Sequence, residues 1–418
     1  MHLPRRHPRP HNPIPESPYE VLALFTAAMV GASIFIVGTG SLMTFFNSAL
    51  HLGQAQLGLI LSVQMLGSVA MTSVAGLLTD RFGDKAVVFY SGAFMGLSLI
   101  AASLVQSFSW LLFWLLMYGI GYAAVTPAGS HAIIFFFKKA DRGLAMGVRQ
   151  CGVPLAGAIG SILLPAIASR FEYRGALVAA GVLTLVACWI ASALYREPVE
   201  LQGERVAVRE MLLEMVTIAR ESRLILLTIT SMILICAQFA LMGFLTLTFV
   251  HVCGYPVSVS VALFTLSQVA AIAGRLAWGW ISDHIFGGSR TLPLAVVCLL
   301  VAFVALAVAN VATTTPLWLA ALLAIVLGFT AEGWLGVSVI GFAEIGGEEH
   351  SGSALGVGLT WTLLAATLTP AIFGAIGETH GFVVAWRALA GLAVVGIVPA
   401  LLGSTAFVAN IRRAERRM

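Results

Sequence analysis

A short charged stretch, Gly76-Leu-Leu-Thr-Asp80-Arg81-Phe-Gly83-Asp84-Lys85, separates two long apolar runs in the first half of this chain. Its spacing returns in the second half as Gly279-Trp-Ile-Ser-Asp283-His284, again after a long apolar run and again followed by a basic residue, Arg290. A helix of about 20 apolar residues crosses the core of a bilayer. The repeat therefore predicts two related halves, each with a charged turn after its second membrane-spanning helix.

The composition indicates a polytopic membrane protein. Of the 418 residues, 59% are apolar and only 10% are charged, whereas a soluble domain typically has about 45–50% apolar and about 25% charged residues. The net charge of +4 does not indicate nucleic-acid binding, because the basic residues are spread over many loops. The five cysteines lack the spacing of metal ligands. We therefore predict that they pack within helices and that the protein holds no metal and no cofactor.

Dividing the sequence at charged and turn-rich breaks predicts an all-α membrane protein with twelve transmembrane helices in two six-helix, pseudo-symmetric halves. The predicted segments are a disordered N-terminal tail at 1–19, a six-helix bundle at 20–195, a linker at 196–223, a second six-helix bundle at 224–408 and a basic tail at 409–418. The N-terminal tail is rich in Arg and Pro and cannot bury a core. The linker has helical apolar spacing with charges opposite, which is typical of an amphipathic helix on a membrane surface.

The basic residues predict the orientation in the membrane. Most of the 23 Lys and Arg residues lie in the two tails, the linker and the loops on the same side, whereas Arg170, Arg174 and Arg387 lie in loops on the other side. The positive-inside rule places both termini in the cytoplasm. The absence of glycosylation sequons and of large loops favours a bacterial inner membrane. We expect a monomer.

The first charged stretch is similar to the signature of the loop between helices 2 and 3 in the major facilitator superfamily, G-x-x-x-D-R-x-G-x-[RK]. The match is complete at Gly76, Asp80, Arg81, Gly83 and Lys85, and the second stretch resembles the degenerate C-terminal copy. The resemblance implies the major facilitator fold and transport by alternating access. In that family the cluster is a latch that holds the two halves together on the cytoplasmic side in the outward-open state.

Carried over to this chain, the resemblance makes the charged stretch and its repeat a cytoplasmic gate. The candidate gate residues are Gly76, Asp80, Arg81, Gly83, Lys85, Asp283 and Arg290. The glycines let the helices and the loop approach closely. The alternative is that the charges only set the topology and that the glycines only form a tight turn.

Small residues mark the start of the fifth predicted helix. Gly147, Gly152 and Gly157 offer small faces for close helix packing. Pro154 permits a kink, because it removes one backbone hydrogen bond. The run is similar to helix 5 of a large set of bacterial facilitators. It loosely resembles the Gly-Pro signature of drug–proton antiporters as well, but Val153 separates Gly152 from Pro154, so the sequence departs from that signature.

Two arginines inside predicted spans indicate an anion site. An ionisable residue in a membrane span marks a functional site by default, and arginine binds carboxylates with two hydrogen bonds. Arg275 lies in a run that resembles helix 8 of monocarboxylate and oxalate–formate transporters, where an arginine anchors the substrate carboxylate. In the family fold helices 5 and 8 are neighbours, so we expect Arg149 close to Arg275. The alternative is that Glu332 forms a structural ion pair with one arginine.

Other side chains within the predicted spans are candidates for proton coupling and for the substrate cavity. Glu332 and His131 can gain and lose a proton, and Gln150, Trp334 and Trp361 are candidate substrate contacts. The alternatives are that His131 only hydrogen-bonds a neighbour and that the tryptophans are packing residues.

The motifs favour a transporter over an enzyme. The sequence has no phosphate-binding G-x-x-x-x-G-K-[ST] loop and no recognisable nucleophile–base set, so an ion or solute gradient must supply the energy. We predict proton-coupled transport of a small organic anion, a carboxylate. The expected partners are the small-molecule substrate, protons or another coupling ion, and the lipid bilayer. The alternatives are export of drugs or metabolites by proton antiport, or a membrane sensor, for which the sequence lacks a soluble signalling domain.

Overall fold

The computed structural model describes residues 17–138, 142–198 and 217–415. Its helices are α1 Pro18–Leu50, α2 Gln54–Leu104, α3 Phe108–Phe136, α4 Arg142–Gln150, α5 Gly152–Leu194, α6 Ser222–His251, α7 Val257–His284, α8 Thr291–Val308, α9 Leu317–Ala331, α10 Leu335–His380 and α11 Phe382–Glu415. Within these described ranges, eleven helical segments are long and apolar enough to cross a membrane. The prediction of an all-helical protein with many membrane-capable helices is confirmed.

Some of the predicted turns are sharp bends inside one long helix. In α2 the bend lies at Gly83, whose φ of 82° is readily adopted only by glycine. In α5 the bend lies at Phe171 and Glu172, and Glu172 has a φ of 58°. This second bend divides Ala145–Leu194, which counts as one of the eleven candidate spans although it has 50 residues. Each part can cross a bilayer core by itself, since about 20 residues suffice.

Two further interruptions in the helices lie at positions that bear on the functional site. Between α4 and α5 the backbone of Cys151 stays helical, and the helical hydrogen-bond ladder is interrupted at Pro154, which cannot donate a backbone hydrogen bond. The break between α9 and α10 covers residues 332–334, where the long apolar run predicts one unbroken helix. The reason is tertiary packing. A Cβ on Gly333 would lie 2.8 Å from the Trp278 ring of α7, so this contact requires glycine, which is a weak helix former.

The N-terminal helices, α1–α5, pack on one another, and so do the C-terminal helices, α6–α11. Glycines allow close approach: a Cβ on Gly160 would lie 2.7 Å from the Ile34 carbonyl oxygen of α1. Such close packing holds membrane helices together, because lipid supplies no hydrophobic force between them. The two groups of helices contact each other through α2 with α10, α1 with α6, and α5 with α7.

Parts of the predicted tails, 1–16 and 416–418, lie outside the described residues. So does the linker segment 199–216, which contains most of the predicted amphipathic helix. Helix α11 continues to Glu415. The backbone at 409–415, predicted as a tail, is therefore helical, because that segment contains no Gly or Pro that would end the helix.

Candidate functional site

Arg275 reaches from α7 to the N-terminal helices. Its Nη1 atom donates a hydrogen bond of 2.8 Å to the backbone carbonyl of Gln150, the last residue of α4. Its Nε and Nη2 atoms are buried and have no hydrogen-bond partner among the described residues. A buried donor without a partner costs about 1–3 kcal/mol, and more when the group is charged. This free edge of the Arg275 guanidinium therefore indicates a binding site.

The Gln150 carbonyl is available to Arg275 because of the residue four positions later. In an α-helix, the N–H of a residue donates to the carbonyl four positions before it. That residue is Pro154, which has no N–H. Gln150, predicted as a substrate contact, thus contributes its backbone carbonyl to the site.

Glu332 is fully buried in the break between α9 and α10. Its Oε1 atom accepts a hydrogen bond of 2.6 Å from the Gln268 side-chain amide. Within the described part of the chain, the Oε2 atom of Glu332 and the Oε1 atom of Gln268 are buried without hydrogen-bond partners. Glu332 lies within electrostatic range of Arg275, but the salt bridges between described residues do not include this pair. In this structure Glu332 is bonded to an amide and not ion-paired with an arginine.

Arg149 is fully buried, and most of its donors are used by α3. Its Nη2 atom donates to the carbonyls of Val125 and Thr126 over 3.1 and 3.0 Å, and its Nη1 atom donates to the Ser130 hydroxyl over 3.2 Å. Its Nε atom is buried and has no hydrogen-bond partner in the ranges that the structure describes. A Cβ on Gly129 would lie 2.5 Å from this Nε, so the guanidinium fits only because that position is glycine.

Tyr122 connects the surroundings of the two arginines. Its hydroxyl group lies 3.3 Å from the Ser33 hydroxyl of α1 and within electrostatic range of both Arg149 and Arg275. The prediction that these arginines share one region is thus consistent with their common neighbour. We call the set formed by five side chains the central polar cluster: Tyr122, Arg149, Gln268, Arg275 and Glu332.

His131 lies at the bend of α2, beside an acidic residue that is itself within electrostatic range of Arg149. Its Nδ1 atom lies 3.0 Å from the carboxylate of Asp84, which is fully buried. Asp84 had no role in the sequence analysis, although it follows Gly83 in the charged stretch. An acidic residue beside Lys85 is typical of a solvated loop. Asp84 is buried only because the bend directs its side chain toward the interior of the protein.

The charged stretch packs against the end of α5. The Lys85 Nζ atom donates to the Tyr195 carbonyl over 3.0 Å, and the Asp84 N–H donates to the Glu197 carboxylate. A Cβ on Gly83 would collide with that carboxylate, so the turn needs glycine for space as well as for its positive φ. Burial raises the pKa of Glu197, and the hydrogen bond from the Asp84 N–H opposes this effect.

The second copy of the stretch forms its own ion-pair cluster. Arg290 donates to Asp283 over 2.5 Å and to Glu344 over 2.6 Å. Arg290 therefore binds within the C-terminal helices, as Lys85 binds within the N-terminal ones. Glu344 was not predicted as a gate residue, and the available signal was its place at the start of an acidic loop. For three gate candidates the structure describes the backbone, which is helical, but not the burial or the side-chain contacts: Gly76, Asp80 and Arg81.

The two candidate tryptophans differ in exposure. Trp334 is fully buried, and its indole N–H donates to the Ala331 carbonyl over 2.9 Å. Trp361 is 51% exposed. Trp334 therefore packs beside Glu332, at the start of α10, whereas Trp361 lies on a surface of the helix bundle.

The glycines predicted for helix packing also differ. A Cβ on Gly152 would lie 3.2 Å from the Thr26 carbonyl oxygen, and a Cβ on Gly157 would lie 2.5 Å from the Gln268 Oε1 atom. A side chain at either position would therefore require the neighbouring atoms to shift. Gly147 departs from the expectation, because a Cβ there would have no atom of a described residue within 4 Å.

Comparison with known proteins identifies relatives over nearly the whole chain. The sequence profile described as Major Facilitator Superfamily matches residues 23–370. An uncharacterised MFS-type transporter of Mycobacterium tuberculosis is 28% identical over 406 residues, which cover 96% of this chain and 88% of that protein. The 3-(3-hydroxy-phenyl)propionate transporter of Escherichia coli is 34% identical over 118 residues, 28% of each chain. The multi-drug resistance efflux pump PmrA of Streptococcus pneumoniae is 26% identical over 180 residues, 42% of this chain and 44% of the pump.

The fold is also that of solved transporter structures. A bacterial homologue of the human lysosomal transporter Spinster, in an inward-facing and occupied conformation, superposes with a TM-score of 0.75 at 16% identity. The match covers 94% of this chain and 97% of that chain. These relatives are transporters and not enzymes. This chain is a multi-pass membrane transporter of small molecules and belongs to the Major Facilitator Superfamily.

Proposed function

We propose that this protein is a secondary active transporter that moves a small organic anion, a carboxylate, together with protons by alternating access. The observation that carries the proposal is the free Nε and Nη2 edge of Arg275, buried between the N-terminal and the C-terminal helices. These two atoms present parallel N–H groups that match the two oxygens of a carboxylate. A bound carboxylate satisfies both donors at once.

Arg149 strengthens the case for an anion. It adds a second buried positive charge near Tyr122, and its Nε atom is a further free donor. Arg149 lies within electrostatic range of the buried Asp84 carboxylate, but the ion pairs between described residues do not include these two as a pair, and a buried charge that is not ion-paired is costly. An anionic substrate in the central polar cluster offsets that cost, while a cationic substrate increases it. We propose that Arg275 binds the substrate carboxylate directly and that Arg149 contributes mainly through its charge, with Gln150, Trp334 and Trp361 as candidate surroundings.

Glu332 is our candidate for proton coupling. Carboxylates in membrane spans commonly serve as proton carriers in pumps and transporters. The Oε2 atom of Glu332 is free, and Arg275 lies within electrostatic range. Binding of an anion to Arg275 therefore changes the electrostatic cost of a charge on Glu332, which couples the two events. His131 pairs with Asp84 at the bend of α2. A proton carried by His131 would therefore lie at that bend and not beside Glu332.

The proposed architecture has twelve spans in two halves, 20–195 and 224–408, with the linker 196–223 and both termini in the cytoplasm of a bacterial cell, as a monomer in the inner membrane. The bend in α5 supplies the division between the fifth and the sixth span. In this orientation the contacts between α2 and α10 close the outer end. Lys85, Asp283 and Arg290 then have partners within their own halves in an inward-facing state, and we propose that the gate residues pair across the halves in the outward-facing state.

A second candidate is export of drugs or metabolites by proton antiport, which the likeness to a multi-drug resistance efflux pump supports. The likeness to a transporter of a hydroxyphenyl-substituted carboxylate supports the first. Each likeness covers less than half of this chain, so the free edge of Arg275 decides our preference.

Uptake into proteoliposomes under an imposed pH gradient distinguishes the anion transporter from the exporter. The panel contains radiolabelled mono- and dicarboxylates, including 3-(3-hydroxyphenyl)propionate, with wild type beside Arg275→Ala and Glu332→Gln. Gradient-driven uptake that Arg275→Ala abolishes supports the anion transporter. If the intact protein takes up no anion and instead lowers the accumulation of an apolar cation, the result contradicts the anion transporter and supports the exporter.

A further inference from the structure

The geometry points to Pro154 as a positioning residue for Arg275, acting through the backbone carbonyl of Gln150. This inference rests on the proposed function, in which Arg275 binds the carboxylate of the substrate. It assigns to Pro154 a role beyond the kink and the helix packing that the sequence predicts. The proline leaves one backbone acceptor in the helix free, and the arginine of the opposite group of helices occupies it.

The first step is local. An uninterrupted helix would bond the Gln150 carbonyl to the N–H of the residue at position 154. Proline has no N–H, and its ring crowds the carbonyl four positions before it, so the helical hydrogen-bond ladder is interrupted there. The one residue between α4 and α5, Cys151, keeps helical dihedral angles, so the backbone continues while the Gln150 carbonyl loses its helical partner. The carbonyl therefore needs a partner from another helix.

The second step crosses between the two groups of helices. Arg275 donates to this carbonyl through Nη1 over 2.8 Å. A guanidinium is planar, with its donors in a fixed fork. Once Nη1 is held, the directions that Nε and Nη2 can take are restricted. The bond to Gln150 thus limits the orientations of the free edge, so the site loses less conformational freedom when a carboxylate binds.

The third step concerns the frame around the bond. Helix α5, which follows α4 after one residue, is joined to α7 by the hydroxyl groups of Ser161 and Thr265, 2.6 Å apart. The close contact of Gly157 with Gln268 lies between that pair and Gln150. These contacts hold α7 at a fixed height along α5, which keeps Arg275 opposite the free carbonyl.

The first arm of the test needs no substrate. In detergent-solubilised protein, Tm is measured for wild type, Pro154→Ala, Arg275→Leu and the double variant. Pro154→Ala restores an N–H at position 154. In the Arg275→Leu background this N–H bonds an unoccupied carbonyl, whereas in wild type it competes with Arg275. We expect the change in Tm caused by Pro154→Ala to be more favourable in the Arg275→Leu background by at least about 1 °C.

Pro165→Ala is the matched control for this cycle. Pro165 lies in the same helix, and the carbonyl four positions before it belongs to Ser161, not to Gln150. Its effect on Tm should be the same with and without Arg275. Equal effects of Pro154→Ala in both backgrounds mean that the bond does not exist in the protein, and they overturn the inference whatever the substrate is.

The second arm measures transport of 3-(3-hydroxyphenyl)propionate, or of the best carboxylate in the panel. Pro154→Ala should raise KM about tenfold and leave the maximal rate within about twofold, because binding loses preorganisation. Replacing residue 154 by lactate, which has a methyl side chain and a backbone ester without N–H, should restore KM. Coupling in Tm with an unchanged KM overturns the positioning role alone. Absence of carboxylate uptake by wild type overturns the proposed function and the positioning role together, while the Tm cycle still reports the bond.

Discussion

The Glu378 carboxylate, at the end of α10, accepts a hydrogen bond of 2.9 Å from the backbone N–H of Ala55, in the first turn of α2. A carboxylate at this position pairs with an otherwise unbonded N–H and with the positive end of the helix dipole. A Cβ on Gly53 would lie 2.6 Å from the same carboxylate. Gly53 therefore leaves the room that Glu378 needs, and one acidic side chain links the N-terminal to the C-terminal helices.

Removing the hydrogen bond between Glu378 and Ala55 should favour separation of α2 from α10 at the end where these two residues meet. For Glu378→Ala we expect about a two- to fivefold shift toward the separated state, because a carboxylate at a helix N-terminus contributes about 0.3–1 kcal/mol. Distances between spin labels at positions 51 and 380, in a cysteine-free background, measure the shift. Glu378→Gln keeps an acceptor oxygen and should change the distances less. Identical distance distributions in all three proteins would contradict a linking role.

Substitution of Arg275 by lysine tests whether the parallel N–H pair matters beyond its charge. Lysine keeps the positive charge but cannot form the side-by-side pair. Loss of one charge-assisted hydrogen bond costs about 1.5–3 kcal/mol, so KM for a transported carboxylate should rise about 10- to 100-fold. The measurement is initial uptake in proteoliposomes, with equal reconstitution checked by immunoblot. An unchanged KM would show that charge alone suffices.

Glu332→Gln should separate substrate movement from proton movement. The amide oxygen can still accept the hydrogen bond from Gln268, so the packing is retained, but the side chain no longer releases a proton. We expect uptake to lose its dependence on the imposed pH gradient, while exchange of labelled for unlabelled substrate continues. Gradient-driven accumulation equal to that of wild type would remove Glu332 from the coupling pathway.

The tight fit of Arg149 predicts opposite effects at two glycines. Gly129→Ala places a Cβ 2.5 Å from the Arg149 Nε atom and should destabilise the protein by about 1–3 kcal/mol, which is typical of overpacking. Gly147→Ala adds a Cβ with no atom of a described residue within 4 Å and should stabilise by up to about 1 kcal/mol, through helix propensity alone. Thermal unfolding in detergent measures both. A loss of stability from Gly147→Ala as large as that from Gly129→Ala would contradict the description of α4.

The raised pKa of Glu197 predicts a pH dependence of stability. Burial favours the protonated carboxyl in the folded protein, so the folded protein binds this proton more tightly than the unfolded chain does. Its stabilising contribution is therefore complete below the ordinary pKa of 4.5 and is lost as the pH rises from there through the raised pKa of the folded state. Glu197→Gln should flatten the Tm profile above about pH 4.5. A profile as steep as that of wild type would exclude Glu197 as a source.

The predictable part of the candidate site was the set of residues that carry charge in apolar surroundings. Arg149, Arg275 and Glu332 stand out from the sequence because burial of an ionisable group in a membrane is costly. Gln268 and Tyr122 do not stand out, since polar uncharged residues are common in such helices. Asp84 was overlooked for a different reason: its neighbours in sequence are typical of a loop, and its burial depends on the bend at Gly83.

The sequence by itself determined the helical, membrane-spanning character of this protein, its repeated charged turns and the family resemblance. These features are local, because the length and polarity of one segment decide whether it can cross a bilayer. Only the tertiary structure decided that Arg275 bonds the carbonyl of Gln150, that Glu332 lies in a helix break beside Gln268, and that Lys85 and Arg290 find partners within their own groups of helices. A hydrogen bond requires its donor and acceptor within about 3 Å and well aligned. That geometry between segments far apart in the chain depends on how whole helices pack, which no local pattern specifies.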